Sequence, residues 1–200
     1  SKYSLLGGIR SSAQMISYEV SMGFSIAGVL LMSQSLSPMK IVESQYGWMW
    51  NAIIQPIGFI TFVVSAFAET NRLPFDLPEA EPELVGGYHT EYSSFKFAGF
   101  FLAEYANMII ASGMIVTLYL GGWQVPYIDK LGLSTTITTI IQVAAFLFKM
   151  GAILFFFIWV RWSIPRFRYD QLMNLGWKVM FPLALANLIW VAVLIMIFNL

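Results

Sequence analysis

The chain has 200 residues, of which 58% are hydrophobic and 11% are charged, and its eleven basic and eleven acidic side chains give zero net charge. That charged fraction is less than half the fraction in a typical soluble domain, so the chain has to bury apolar side chains against lipid. Without cysteine it cannot hold a disulfide or a thiolate-bound cluster, and zero net charge without a basic run argues against nucleic-acid binding. It begins Ser-Lys-Tyr without methionine or a signal-peptide pattern, from which we expect a fragment.

Five apolar segments are each long enough to cross a hydrocarbon layer about 30 Å thick, which takes about 20 helical residues. They cover residues 13–36, 49–68, 97–120, 135–160 and 179–198. We expect helices, because lipid offers no hydrogen-bond partner to the backbone of an isolated strand. The sequence therefore predicts a single all-α membrane domain, a polytopic helical bundle, with long structured loops at 69–96 and 161–178.

Basic residues are unevenly divided between the two sides of this predicted bundle. Eight of them fall on the side of the N-terminus and the two long loops, two fall on the other side, and Lys149 lies within a span. By the positive-inside rule, the N-terminus and both long loops face the cytoplasm and the C-terminus faces outward.

Ionisable residues within the predicted spans are costly. Glu19, Glu104 and Lys149 are predicted at membrane depth and Glu69 closes the second span. Each such charge costs about 2.5–3.5 kcal/mol at the centre of a spanning helix. Residues of this kind usually face a water-filled cavity or a partner charge, and they mark ion or proton paths. The alternative is a structural pair, with Lys149 neutralising a glutamate.

The loop 69–96 is the most acidic segment of the chain. Its acids are Glu69, Asp76, Glu79, Glu81, Glu83 and Glu91, against Arg72 and Lys96. Pro74, Pro78 and Pro82 recur every four residues and exclude a regular helix. Apolar residues interrupt the acids, so the loop is suited to lining a cavity that accepts an apolar ligand together with water and protons. An acidic docking surface for a soluble partner is an equally good and compatible interpretation.

The loop 161–178 is basic, with Arg161, Arg166 and Arg168 among aromatic side chains. These arginines could enforce topology or bind anionic lipid headgroups. We favour a structured loop that docks on the acidic one. The chain contains no P-loop, no GxGxxG motif, no nucleophile elbow and no HExxH motif. If it serves an oxidoreductase, the electrons must therefore arrive from another subunit.

Six motifs occur in order along the chain. They are KYSLLGGIR at 2–10, AQMISYE at 13–19, AETNRLPFD at 68–76, ELVGGY at 83–88, EYS at 91–93 and PRFRYDQL at 165–172. Together they closely resemble the membrane-protein family of subunit 1, also called the H subunit, of NADH:quinone oxidoreductase (respiratory complex I). The resemblance covers essentially the whole chain. Members of that family have eight transmembrane helices, and this chain resembles the last five.

The resemblance implies a non-redox subunit of a proton-translocating enzyme complex. Such a subunit forms much of the chamber where ubiquinone or menaquinone is reduced, and the first carboxylate-lined path towards the antiporter-like subunits. NADH, flavin and iron–sulfur clusters would reside on other subunits, and no metal ligand is expected here. The implied partners are the iron–sulfur subunits of the peripheral arm, the small and antiporter-like membrane subunits, and lipid. The implied location is a bacterial inner membrane in preference to the mitochondrial one.

We assign no catalytic residue to this chain alone, but three groups of site residues. The predicted proton path comprises Glu19, Glu69, Glu79, Glu81, Glu83, Glu91 and Glu104, with Lys149 added because of its depth. The predicted chamber loop comprises Arg72, Phe75, Asp76, Leu77 and Tyr88. Residues expected to balance charge or hold the junction are Arg10, Arg161, Arg166 and Arg168.

Two other functions remain open from the sequence. The first is the equivalent membrane subunit of an energy-converting hydrogenase or a formate hydrogenlyase, which shares ancestry but needs no quinone. The second, more remote, is a secondary transporter whose coupling site would be Glu19, Glu104 and Lys149. Transporters of that kind usually show paired repeats and broken helices, and the sequence shows no internal repeat.

Overall fold

The structure is a computed structural model that describes residues 2–47, 49–71, 74–76, 94–128, 132 and 134–198, apart from the Tyr3 side chain. Every regular element in these residues is helical, which confirms the predicted all-α fold class. Most of the acidic loop lies outside the described residues. Seven predicted site residues therefore also lie outside the described residues: Arg72, Leu77, Glu79, Glu81, Glu83, Tyr88 and Glu91.

The longest intervals between the described helices are residues 70–93 and 120–134. In chain order they are α1 (Lys2–Ser33), α2 (Pro38–Ser44), α3 (Asn51–Ile54), α4 (Pro56–Glu69), α5 (Ser94–Tyr119), α6 (Thr135–Ser163), α7 (Tyr169–Asn174), a π-helical segment (Leu175–Met180) and α8 (Phe181–Phe198).

Four helical stretches of the described residues are long and apolar enough to cross a membrane. They are Ser4–Ser33, Ser94–Tyr119, Thr135–Ser163 and Tyr169–Phe198. Each contains most of one predicted span, and together they make the chain a multi-pass membrane protein.

The second predicted span, 49–68, is divided between α3 and α4. The break falls at Gln55, whose φ of −130° and ψ of 67° are not helical. Pro56 explains it, because proline lacks an N–H and disfavours the helical conformation of the residue before it. With 14 residues, α4 extends about 21 Å, which is less than the hydrocarbon thickness. That this segment crosses the membrane stays a prediction.

The core lies where α1 packs against α4 and α8, with α5 closing one side. Val29, Phe62, Ile115 and Val191 are almost completely buried there. The Tyr119 hydroxyl of α5 donates to the Ser25 carbonyl of α1 at 3.0 Å, which fixes these two helices to each other. By contrast, α6 packs mainly against α5 and leaves most of its surface exposed.

The start of α4 is capped from a distant helix. The first N–H groups of a helix have no partner within it, and the Gly58 N–H donates instead to Asn187 Oδ1 of α8 at 3.0 Å. Asn187 Nδ2 in turn donates to Gln55 Oε1 at 3.2 Å. A Cβ atom on Gly58 would lie 2.6 Å from Asn187 Nδ2, so only glycine permits this approach.

We therefore expect Gly58→Ala to destabilise the protein by about 1–3 kcal/mol, because the new methyl group displaces Asn187 from its partners. The measurement is the thermal unfolding midpoint of the detergent-solubilised full-length protein. Gly23→Ala on α1 is the matched control, since a Cβ there has nothing within 4 Å. Equal midpoints for the two variants would contradict the importance of this contact.

Candidate functional site

A cavity of about 220 Å³ lies between α1, α4 and α5. Its walls are mostly apolar, and its polar members gather where α4 ends. The lining residues are Met22, Ile26, Phe62, Ala66, Glu69, Thr70, Asn107, Ile110, Ala111 and Met114. A space of this size can hold several water molecules beside a carboxylate.

Three of the predicted glutamates belong to the helix faces that line this cavity. Residues three or four apart share a helix face. Glu69 lines the cavity itself, Glu19 precedes Met22 by one turn on α1, and Glu104 precedes Asn107 by one turn on α5. Helical spacing therefore places Glu19 and Glu104 on the faces of α1 and α5 that line the cavity, while Glu69 itself lines it where α4 ends.

Glu19 and Glu69 are near enough to influence each other. The negative charges of Glu19 and Glu69 repel each other. Glu104 is half-buried, whereas Glu19 and Glu69 are exposed at the rim. In the part of the chain that the structure describes, no group of three or more His, Cys, Asp or Glu side chains is arranged to hold a metal ion. The arrangement is suited to holding and exchanging protons through water.

The chain that leaves α4 is held against α1 by a buried amide. Gln14 Nε2 donates to the carbonyl oxygens of Ala68 at 2.8 Å and Phe75 at 2.9 Å. It also lies 3.2 Å from Asn71 Oδ1. The Phe75 ring packs edge-on against Tyr18, with ring centroids 5.6 Å apart. These contacts hold Ala68, Asn71 and Phe75 against α1, and so fix the position of Glu69.

The same segment contacts the basic loop. Arg166 Nη2 donates to Asp76 Oδ2 at 2.8 Å. The Phe167 N–H donates to the Pro74 carbonyl at 3.2 Å, and the Phe75 and Phe167 rings lie 5.5 Å apart. The structure thus brings the start of the acidic loop and the basic loop together, as the docking hypothesis expects.

The AQMISYE motif of α1 contacts the chain segment that contains the PRFRYDQL motif. The Tyr18 hydroxyl donates to the Leu172 carbonyl at 2.9 Å, and Trp177 Nε1 donates to Ser17 Oγ at 3.0 Å. The guanidinium carbon of Arg10 lies 5.7 Å from the centre of the Tyr169 ring. The turn of α1 that precedes Glu19 is therefore held by the second half of the basic loop, which the structure folds into α7 and the π-helical segment.

Three other predicted site residues lie apart from the cavity. Arg161 is in the last turn of α6, and Arg168 is exposed, 3.7 Å from Asp170. Lys149 lies beyond the opposite end of α5, where its ammonium group donates to main-chain carbonyls. The structure therefore brings Glu19 near Glu69 and separates Lys149 from them, and Glu104 lies on the face of α5 that lines the cavity.

The sequence analysis missed a set of buried amide side chains that fix the helix ends. They are Gln14, Gln45, Asn51, Gln55 and Asn187, each at most 2% exposed. Four of the five stand inside predicted spans. That position is the signal that could have found them, because an amide surrounded by apolar residues needs a hydrogen-bond partner.

Comparisons with known proteins agree along nearly the whole chain. Residues 1–192 match the family model described as NADH dehydrogenase. The H subunit 1 of the NADH-quinone oxidoreductase of Cytophaga hutchinsonii is 51% identical over 197 residues, which are 98% of this chain and 58% of that protein. The H subunit of the same enzyme of Salinibacter ruber is 52% identical over 209 residues, covering 100% of this chain and 61% of that protein.

A third relative, the NADH-quinone oxidoreductase H subunit of Leptospira biflexa, is 56% identical over 184 residues, which are 90% of this chain and 51% of that protein. The chain thus spans between about half and six-tenths of the length of the curated relatives it matches. The relatives named here are bacterial.

The contact between the two loops predicts a local effect of Asp76→Asn. Neutralising Asp76 weakens the pair with Arg166, so the hydrogen bond from Phe167 to Pro74 opens more often. We expect amide exchange at Phe167 to accelerate about fivefold, which corresponds to about 1 kcal/mol. Hydrogen–deuterium exchange with mass spectrometry of the full-length protein measures it.

Asp170→Asn is the matched control, since the longer pair that it breaks is about 80% exposed on both sides. Exposed pairs of this kind contribute little, and exchange at Phe167 should stay unchanged. Equal exchange in the Asp76→Asn variant and the unmodified protein would show that the pair does not hold the loops together.

Proposed function

This chain belongs to the NADH dehydrogenase family, the family of complex I subunit 1, and from this premise we propose that it acts as a membrane subunit of a proton-translocating NADH:quinone oxidoreductase. Within that complex it forms much of the quinone-reduction chamber and the first carboxylate-lined path for protons. It contributes no redox centre, and its substrate is ubiquinone or menaquinone.

The observation that carries this proposal is that Glu69 lines a cavity between three helices, and helical spacing puts Glu19 and Glu104 on the helix faces that border it. Isolated structural charges would be expected in separate, tightly packed pairs. Carboxylates around a space with room for water can exchange protons with it. Glu69 also begins the acidic loop, so the cavity and the proposed chamber share a residue.

The chemistry of quinone reduction gives this arrangement its purpose. Reduction takes up two electrons and two protons, and negative charge that develops in a pocket of low dielectric constant is costly. We propose that proton movement among the loop acids and the three cavity glutamates relieves this charge. Gln14 holds Ala68 and Arg166 holds Asp76. A change of charge in the loop is thereby transmitted to Glu69 at the cavity.

The proposed surroundings follow from the two loops. The iron–sulfur subunits of the peripheral arm supply the electrons and cover the loops, which face the cytoplasm. Small and antiporter-like membrane subunits, together with lipid, cover the exposed apolar helix faces. The antiporter-like subunits receive the protons. The cell membrane of a bacterium is the proposed location, in keeping with the bacterial relatives.

An energy-converting hydrogenase or a formate hydrogenlyase would use a related membrane subunit without quinone. The relatives above carry quinone oxidoreductase names, which favours the first function. Quinone reduction in membranes containing the full-length protein distinguishes them: NADH-dependent activity supports the quinone function, and hydrogen evolution without quinone reduction contradicts it.

Substitution of a proposed proton carrier should lower activity, whereas substitution of another acid should not. We expect Glu69→Gln in the assembled complex to lower quinone reductase activity and proton pumping about tenfold, because glutamine cannot release a proton. Glu81→Gln and Glu83→Gln should act in the same direction. Activity is followed by NADH oxidation with a short-chain quinone, and pumping by a pH-sensitive dye in vesicles.

Glu43→Gln supplies the control, since Glu43 is an exposed acid on α2 and lies away from the cavity. It should leave both rates unchanged. Unaltered turnover and pumping in all three test variants would end this version of the mechanism.

Filling the cavity tests the same proposal without removing a charge. Ala111 lines the cavity, and leucine there takes the space proposed for water, so we expect a several-fold fall in turnover with little change in the quinone KM. Ala98→Leu makes the same change on the opposite face of α5, where the residue is exposed. If both variants turn over equally fast, the cavity has no part in the reaction.

A further inference from the structure

The helix α5 ends against the middle of α6. Lys149 is the central residue of the 29-residue α6, so about 21 Å of helix separates it from each end. Its ammonium group nevertheless reaches the residues that follow Tyr119, the last residue of α5. The end of one helix and the loop after it therefore lie beside the midpoint of a long apolar helix, where unpaired main-chain groups are costly.

The turn that ends α5 requires glycine at two positions. Gly121 and Gly122 have φ angles of +71° and +54°, which favour glycine. The Gly122 N–H donates to the Val116 carbonyl at 2.8 Å, and a Cβ atom on Gly122 would lie 2.6 Å from Val42 Cγ2. This turn aims the carbonyls after the helix to one side, towards α6.

Two buried amides satisfy the last carbonyls within α5. Gln45 Nε2 donates to Thr117 O at 3.1 Å and Asn51 Nδ2 donates to Leu118 O at 2.8 Å. Gln45 Oε1 accepts from the N–H groups of Gly121 at 3.1 Å and Asn51 at 3.2 Å. The connection between α2 and α3 thus forms one half of a cap on α5.

Lys149 forms the other half. Its Nζ donates to the carbonyl oxygens of Leu120 at 2.8 Å, Gly122 at 3.1 Å and Gln124 at 2.8 Å. Its three N–H groups therefore match three acceptors. The Trp50 ring centre lies 4.6 Å from Nζ, at a distance typical of cation–π contacts. The negative end of the α5 dipole adds to the same stabilisation.

We propose that Leu120, Gly122, Gln124 and Trp50 form a preformed site for a primary ammonium ion, that Lys149 is its tethered occupant, and that this contact positions α5 instead of carrying protons. The site stands independently of the proposed function. It sets the position of α5, and hence of Glu104 and Asn107 in its middle turns. When the lysine is removed, a small alkylammonium ion should occupy the vacant site.

The first experiment uses Lys149→Ala in the purified whole complex and measures its thermal unfolding midpoint. Alanine keeps Cβ, so n-propylammonium has the atoms that the substitution removes. We expect the midpoint to fall by several degrees, and millimolar n-propylammonium to restore at least half of the loss. Tetramethylammonium has no N–H group and should restore nothing. Equal effects of the two ions, or no effect of either, would overturn the ammonium site.

Lys149→Arg is the second variant. It tests the proposal even if the complex with Lys149→Ala does not accumulate in cells. Arginine can donate to the same carbonyls but does not release a proton in proteins. We expect Lys149→Arg to keep most of the thermal stability and the normal ratio of protons pumped to electrons transferred. A stable Lys149→Arg complex with a reduced ratio would overturn the proposal, because it would make Lys149 a proton carrier.

Lys178→Ala controls for the loss of a positive charge, since Lys178 is exposed in the π-helical segment. Its midpoint should not respond to n-propylammonium. Because the midpoint is measured without turnover, failure of the ammonium site and failure of the quinone function give different results.

Discussion

Main-chain groups at helix ends have to be hydrogen-bonded wherever water is absent, and this constraint explains several of the side-chain hydrogen bonds that link separate helices in the described residues. Asn187 of α8 takes up an N–H at the start of α4, and Gln14 of α1 takes up a carbonyl at its end. Gln45, Asn51 and Lys149 do the same at the end of α5. In every case the capping side chain lies outside the helix that it caps, so closing a helix end also joins separate parts of the chain.

This way of closing the ends has a consequence for the site. A helix that stops within the apolar layer leaves space beyond it or beside it, and caps from neighbouring helices keep that space from collapsing. The cavity lies where α4 ends, and Gln14 holds the chain that leaves α4 against α1. The same helices then present Glu19, Glu69 and Glu104 by simple helical spacing. The position of the acids therefore depends on neutral side chains that carry no chemistry.

Apolar length and helical periodicity predicted the all-α class and the segments of four spans, because these depend on local sequence alone. Pro56 made the break at Gln55 predictable in principle. Many membrane-spanning helices tolerate a proline, however, and the hydrophobicity of a segment does not show whether its proline breaks the helix. The docking of Asp76 on Arg166 was expected from opposite charge. The partners of Lys149 were not, because depth in a span shows that a charge needs a partner without showing which one.

Lys149 and Glu69 show that the presence of an ionisable residue in a predicted span or at its end does not identify its role. A proton carrier must be able to exchange one partner for another during the reaction. Each N–H of Lys149 can be matched to a main-chain carbonyl, and a carbonyl does not take the proton over. Glu69 instead borders a cavity in which water can approach and leave, with the charge of Glu19 nearby. In the roles proposed above, Lys149 fixes a helix and Glu69 moves a proton, and the difference lies in their partners.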